Sequence, residues 1–200
     1  PYQLYYQYRS NSAGHAGAYI ESSETAQYFQ TSLGTWRDIK FLADILRKQA
    51  NYDDEVFVNM VLQLTHQFYY QPSTNTKYPV ETFVEGSGDC DTLAVFAAAL
   101  MKAGGLDTVV ISGYAKGSPE DELGIGHAMV GVALSEQPDD HYREFSSYVD
   151  YDGERYYLGE ATWNNQLLTQ QFDYTRIGTA VGDNPWSEFS ITSTVGTPQA

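Results

Sequence analysis

Gly86-Ser87-Gly88-Asp89-Cys90-Asp91-Thr92-Leu93 holds the only cysteine among 200 residues, and the run behind it decides how the chain folds. From Cys90 to Ala103 the pattern is helical, ending at Gly104-Gly105, where a left-handed C-terminal residue is wanted. Leu93, Ala94, Ala97 and Met101 share a face with Cys90, yet Val95, Phe96, Ala98 and Ala99 leave almost no polar side. Such a helix is buried nearly all round, which requires a sheet on one face and helices on the other. Its first residue is the cysteine. Unpaired N–H groups and the positive end of the dipole favour an anion there, and the Gly-Ser-Gly approach lets the backbone come close to a substrate. The Cys90 N–H is itself placed to donate to an oxyanion. Asp89 and Asp91 oppose a thiolate if they point inward, so the sulfur needs a specific positive partner nearby.

Working outward, Trp36, Ile39, Leu42, Ala43 and Leu46 repeat at helical spacing between Thr35 and Ala50. A second helix starts near Asp53-Asp54, burying Phe57, Met60, Val61, Leu64 and Phe68, with Glu55, Asn59, Gln63 and His66 as its wet stripe. Lys77 to Phe83 reads as extended. After the cysteine helix, 107–114 and 127–134 are β-branched or apolar strand candidates. Asp152-Gly153 is a hairpin turn signal ahead of Arg155-Tyr-Tyr-Leu-Gly-Glu-Ala-Thr-Trp163. Helices followed by antiparallel strands give an α+β fold. Residues 35–195 are expected to form one globular domain. Residues 1–34, rich in Tyr, Ser and Gly, read as a strand or loop arm whose Tyr2, Tyr5, Tyr6 and Tyr8 pack or form an edge, and Gly196 to Ala200 are expected to fray.

The partner for the sulfur comes from four histidines. His66 sits on a polar stripe and reads as a solvated residue, while His15 and His141 lie in loop-like stretches. His127 differs: it opens a strand directly after Gly124-Ile125-Gly126, 37 residues beyond Cys90 (127 − 90), enough for a helix, a strand and a loop to bring the two together. A catalytic imidazole also needs an orienting group. Glu160, at a strand end, fits that part, with Asn164 and Asn165 as competitors.

The order "GDCDTLAVFAAALMKAGG", "GHAMVGV", "YYLGEATW" resembles the transglutaminase-like superfamily, the papain-related thiol enzymes built on a Cys, His, acid order. More narrowly, "KYPVETFVEGSGDCDTLA" resembles the bacterial and archaeal transglutaminase-like cysteine peptidases, in which Tyr-Pro-x-Glu-Thr leads into Gly-Asp-Cys. "RIG" at 176–178 fits weakly, and the resemblance spans about residues 77–178. It implies a papain-like core with Cys90 as nucleophile, His127 as general base and then acid, and Glu160 as orienting acid. Relatives mostly place Asp in the third position. Many also carry Glu-Asp after the cysteine where Asp91-Thr92 stands here, so no metal site is carried over, and no organic cofactor is implied. Tyr78, Thr82 and Trp163 are the side chains considered for an oxyanion donor. The implied reaction is acyl transfer on peptide or protein amide bonds, hydrolysis before amine transfer.

Composition sets the remaining bounds. The chain is 42% hydrophobic and 14% aromatic, which excludes a disordered class. Eleven basic against 26 acidic residues give a charge of −15, repelling nucleic acid and anionic membranes. No apolar run approaches a membrane span. The abundance of Tyr, Gln, Asn, Ser and Thr over Lys suggests an exported protein, and the start at Pro1 suggests a targeting segment outside this fragment. Asp150 to Gly153 lacks the spacing of a calcium loop. The rival from another class is a non-catalytic extracellular binding or surface-structural module that keeps the fold and uses its aromatic arm. Oligomeric state is not legible.

Overall fold

The computed structural model describes residues 3, 5, 6, 35–73, 76–118, 120, 122, 124–139, 146–162 and 180–196. A 3₁₀ turn, Trp36–Ile39, leads into α1 (Lys40–Gln49), followed by α2 (Asp54–Thr65), α3 (Pro79–Glu85) and α4 (Cys90–Ala103). Two short strands, β1 (Tyr69–Tyr70) and β2 (Ser87–Gly88), pair in parallel. The main sheet follows α4: β3 (Thr108–Lys116), β4 (Ile125–Ala133), β5 (Tyr148–Tyr151), β6 (Glu154–Gly159) and β7 (Glu188–Gly196). Its order is β5-β6-β4-β3-β7, with every pair antiparallel. Helices first and an antiparallel sheet second is the α+β, papain-like arrangement expected from the sequence.

Helix α4 lies at the centre. Every residue from Thr92 to Met101 is buried, and the main core joins it to Phe57, Val58, Val61 and Leu62 of α2 and to Ala128, Val130 and Val132 of β4. The apolar pattern all round therefore has its physical cause: helices cover one side and the sheet the other. Gly105 ends the helix at φ +94°. Arg47 of α1 closes it further, its Nε donating to the Gly104 carbonyl at 2.7 Å while Nη1 meets Asp54 at 2.6 Å. A cation on the last carbonyls of a helix satisfies groups the helix itself leaves unpaired. A second, smaller core occupies the opposite face of the sheet, where alternate residues of the same strands, Val109, Ile111, Met129, Tyr156 and Leu158, pack with Trp186.

The hairpin predicted at Asp152-Gly153 is present. Both residues have positive φ, 51° and 86°, between β5 and β6, the backbone that a two-residue turn of right-twisting strands requires.

Several elements differ from the sequence reading. The segment read as extended from Lys77 is helical from Pro79, because Pro79 takes the first helical position, where its missing N–H is no loss. Glu81 then accepts from the Tyr78 N–H at 2.9 Å, completing a capping box. In α2 the fully buried positions are Phe57, Val58, Val61, Leu62 and Thr65, whereas Met60, Leu64 and Phe68 pack at its margin. Gly196, expected to fray, pairs with Val109 as the last rung of β7. Tyr5 and Tyr6 are helical rather than extended. The other residues of the proposed arm, with Tyr2, Tyr8 and His15, lie outside the described residues, except exposed Gln3, which is helical too.

Candidate active site

Cys90 is the first residue of α4 and is half-buried. Asp89 caps the helix, its Oδ1 accepting from the Thr92 N–H at 3.3 Å and its Oδ2 from the Ser73 N–H at 3.0 Å. Asp91 accepts from the Thr76 hydroxyl at 2.5 Å. Burial, together with the hydrogen bond and charge of Asp89, raises the Asp91 carboxyl to about 7, against smaller lowering by Thr76 and Thr92. Near neutrality Asp91 is therefore only partly charged, which relieves part of the opposition that its sequence position suggests.

His127, the third residue of β4, is 2% exposed, and its Nε2 donates to Glu160 Oε2 at 2.7 Å. The sheet register produces this contact. Val130 pairs with Gly159, so continuing the ladder puts residue 162 opposite 127, and Glu160 falls on the diagonal of the same face, within reach of a long side chain. The Cys90 side chain also acts on the imidazole and raises it alongside Glu160. Since Nε2 is taken by the carboxylate, Nδ1 is the nitrogen left for the sulfur. Burial on its own lowers the imidazole, but the Glu160 charge, Cys90 and the Glu160 hydrogen bond overcome it and raise His127 to about 10.

Glu160 is completely buried yet has no empty acceptor position. Oε1 accepts from the Thr162 N–H at 2.8 Å and the Thr162 hydroxyl at 2.6 Å. Oε2 accepts from His127 and from the Trp186 indole N–H, both at 2.7 Å. Four donors fill the four sites of an ionised carboxylate. Burial pushes its carboxyl up, but the His127 charge and these donors outweigh that and hold it down to about 2. The Trp186 ring also leans on the imidazole, with centroids 4.7 Å apart. Nothing in the sequence reading picked out Trp186. The usable signal is that an indole N–H buried in a core needs an acceptor.

His66 is a correction. Read as a solvated surface residue, it is half-buried at the C-cap of α2, and its Nε2 donates to the Glu160 backbone carbonyl at 2.6 Å. A carbonyl only accepts, so Nε2 carries the hydrogen and Nδ1 is bare. That Nδ1 is buried without a partner among the described residues. Burial outweighs the Glu160 carbonyl and charge and lowers His66 below its ordinary 6.5. The unfolded chain therefore takes this proton first as pH falls below about 6.5, and the stability tied to neutral His66 is lost in that range. Asp91, raised in the fold, acts in the opposite sense between the same limits, so the comparison must be between variants. In urea denaturation from pH 7 to 5, His66→Gln, which keeps an N–H donor but cannot titrate, is expected to lose less stability than wild type; equal losses would refute the assignment.

Of the other residues singled out from sequence, Thr82 is spent, its hydroxyl donating to the Tyr78 carbonyl at 3.2 Å, and Tyr78 is the buried N-cap of α3. Trp163, Asn164, Asn165, His141 and 176–178 lie outside the described residues.

An α+β core with a cysteine at a buried helix tip and a histidine–carboxylate pair on the adjoining sheet defines a papain-like thiol-enzyme architecture. The chain belongs to the transglutaminase-like superfamily, whose family model matches residues 25–153. The match takes in Cys90 and His127, ends seven residues before Glu160 (160 − 153), and extends across the N-terminal helices that the sequence motifs left unassigned. Among solved structures, a "Putative Cysteine Protease from Cytophaga hutchinsonii" is similar, at 14% identity and a TM-score of 0.45, covering 92% of this chain. This chain spans 57% of the length of that one. No curated protein matches the sequence.

Proposed function

We propose that this chain is a thiol-dependent acyl-transfer enzyme that cleaves amide bonds of peptides or proteins. The observation supporting the reading is the His127 imidazole, held by the buried Glu160 carboxylate and acted on by Cys90 at the tip of α4. In this reading His127 takes the thiol proton, Cys90 forms a bond to the acyl carbon, and the carbonyl electron pair moves onto oxygen. When that pair returns, the amine leaves with the proton held by His127. Water, deprotonated by the same imidazole, releases the acid from the thioester; a second amine in its place would give amide exchange. Glu160 keeps the ring oriented and favours its charged form through the first step.

Membership of the superfamily supports a thiol enzyme as a class. Substrate, hydrolysis and export belong to the proposal. The test is incubation with denatured casein and a primary-amine probe, read by mass spectrometry for new N-termini and amine adducts, with and without prior iodoacetamide. New N-termini that vanish after alkylation are expected. Cleavage indifferent to alkylation, or adducts without cleavage, would overturn the peptidase reading.

A further inference from the structure

The acyl-transfer reading leaves one requirement unmet: donors for the negative oxygen that forms when sulfur adds to a carbonyl. The Cys90 N–H, in the first turn of α4, is one. Of the side chains considered for the second from sequence, Thr82 is spent within α3 and Tyr78 is the buried N-cap of that helix, while Trp163 lies outside the described residues.

The parallel pair β1–β2 brings another. Tyr70 lies opposite Gly88, two residues before the nucleophile, and the rung is fixed by the Tyr69 N–H on the Gly86 carbonyl at 2.8 Å and the Gln71 N–H on the Gly88 carbonyl at 2.9 Å. Tyr69 is 58% exposed, whereas Tyr70, on the alternate side, is half-buried and packs against the main core. Its hydroxyl makes no hydrogen bond to any described residue. Cys90, Asp89, Asp91 and Glu160 are the charged groups that act on it most strongly. Burial first, and these four groups next, push the phenol above its ordinary range, so the proton stays on oxygen throughout the working pH range. A neutral phenol with no hydrogen bond to a described residue thus sits on the strand paired with the approach to Cys90 and is kept as a donor.

We infer that the Tyr70 hydroxyl, together with the Cys90 N–H, holds the oxyanion formed when the Cys90 sulfur adds to a substrate acyl carbon. The S–C bond forms, the carbonyl electron pair moves to oxygen, and Tyr70 donates a hydrogen bond without giving up its proton. Removal of one such donor slows the acyl step about 100-fold in enzymes of this chemistry.

The inference rests on the acyl-transfer reading, and the experiment separates the two. Wild type, Tyr70→Phe and Cys90→Ala are compared in acylation by p-nitrophenyl acetate, which passes through an oxyanion. Wild type and Tyr70→Phe are also compared in alkylation of Cys90 by iodoacetamide, which does not. The expected result is an acylation rate about 10- to 100-fold lower in Tyr70→Phe, with the alkylation rate unchanged, which also shows that the site has folded. Equal acylation in Tyr70→Phe and wild type overturns the role of Tyr70 alone. A parallel fall in both reactions overturns it too, by assigning Tyr70 to the sulfur instead of the oxyanion. If wild type acylates no faster than Cys90→Ala, the acyl-transfer reading fails and the role of Tyr70 goes with it.

Discussion

Glu160→Ala is expected to cost about 3–5 kcal/mol of stability and to abolish measurable turnover. The side chain is completely buried and accepts four hydrogen bonds, so its removal leaves the His127 and Trp186 N–H groups and both Thr162 donors facing an apolar void. Removing one partner of a buried pair is costly because the other remains desolvated. Glu160→Gln is the sharper variant. It keeps the volume but offers one acceptor oxygen to four donors and presents an N–H₂ to at least one of them. The imidazole loses its orientation, and kcat is expected to fall about 10²- to 10⁴-fold with a smaller loss of stability. Linkage supplies a second reading. His127, raised from 6.5 to about 10, contributes stability that is complete below 6.5 and lost as pH rises through about 10. Glu160, lowered from 4.5 to about 2, contributes stability that is complete above 4.5 and lost as pH falls through about 2. Wild type and Glu160→Gln should therefore differ most between pH 4.5 and 6.5 and converge toward both extremes. Urea midpoints across pH, with kcat at each, measure this. A Glu160→Gln enzyme retaining half its rate would remove Glu160 from the site.

The three proposed site residues are each announced locally in the sequence. Cys90 opens a run apolar on every side, His127 follows a glycine pair at the head of a β-branched strand, and Glu160 directly follows another strand. The supporting groups act across the chain without a local mark. Trp186 reaches Glu160 from 26 residues away and the His66 ring reaches its carbonyl from 94. A helical wheel assigns His66 to solvent because it registers only the periodicity of α2, and the carbonyl that accepts from it belongs to Glu160, the residue just past β6. Tyr70 gains its position from a two-residue parallel pairing, too short to leave a pattern. β7 passed unread for a related reason. Its Ser and Thr residues carry β propensity but little hydrophobic contrast, and it is an edge strand held by backbone pairing to β3.

Phe96→Ala separates framework from chemistry. Phe96 is completely buried in the middle of α4, with Phe68 at 5.2 Å between ring centroids and Phe83 stacked at 6.5 Å. Those rings come from the segment after α2 and from α3, so the substitution opens a cavity where three parts of the helical layer meet. A buried Phe truncated to Ala costs about 3–5 kcal/mol, comparable with the loss at Glu160. The effect on catalysis should nevertheless be small per folded molecule. Cys90 lies six residues earlier, about 9 Å along the helix at 1.5 Å per residue, and its position is fixed by contacts that Phe96 does not make: the Asp89 cap on Thr92 and Ser73, and the β1–β2 rung at Gly88. Active-site titration with iodoacetamide, combined with chemical denaturation, reads both quantities. The expected outcome is a large drop in the denaturation midpoint with kcat per titrated thiol within about threefold of wild type, against the two or more decades expected at Glu160. If kcat per thiol fell as far in Phe96→Ala as in Glu160→Gln, the α4 core and the site would be one mechanical unit, and the separate anchoring of Cys90 would be wrong.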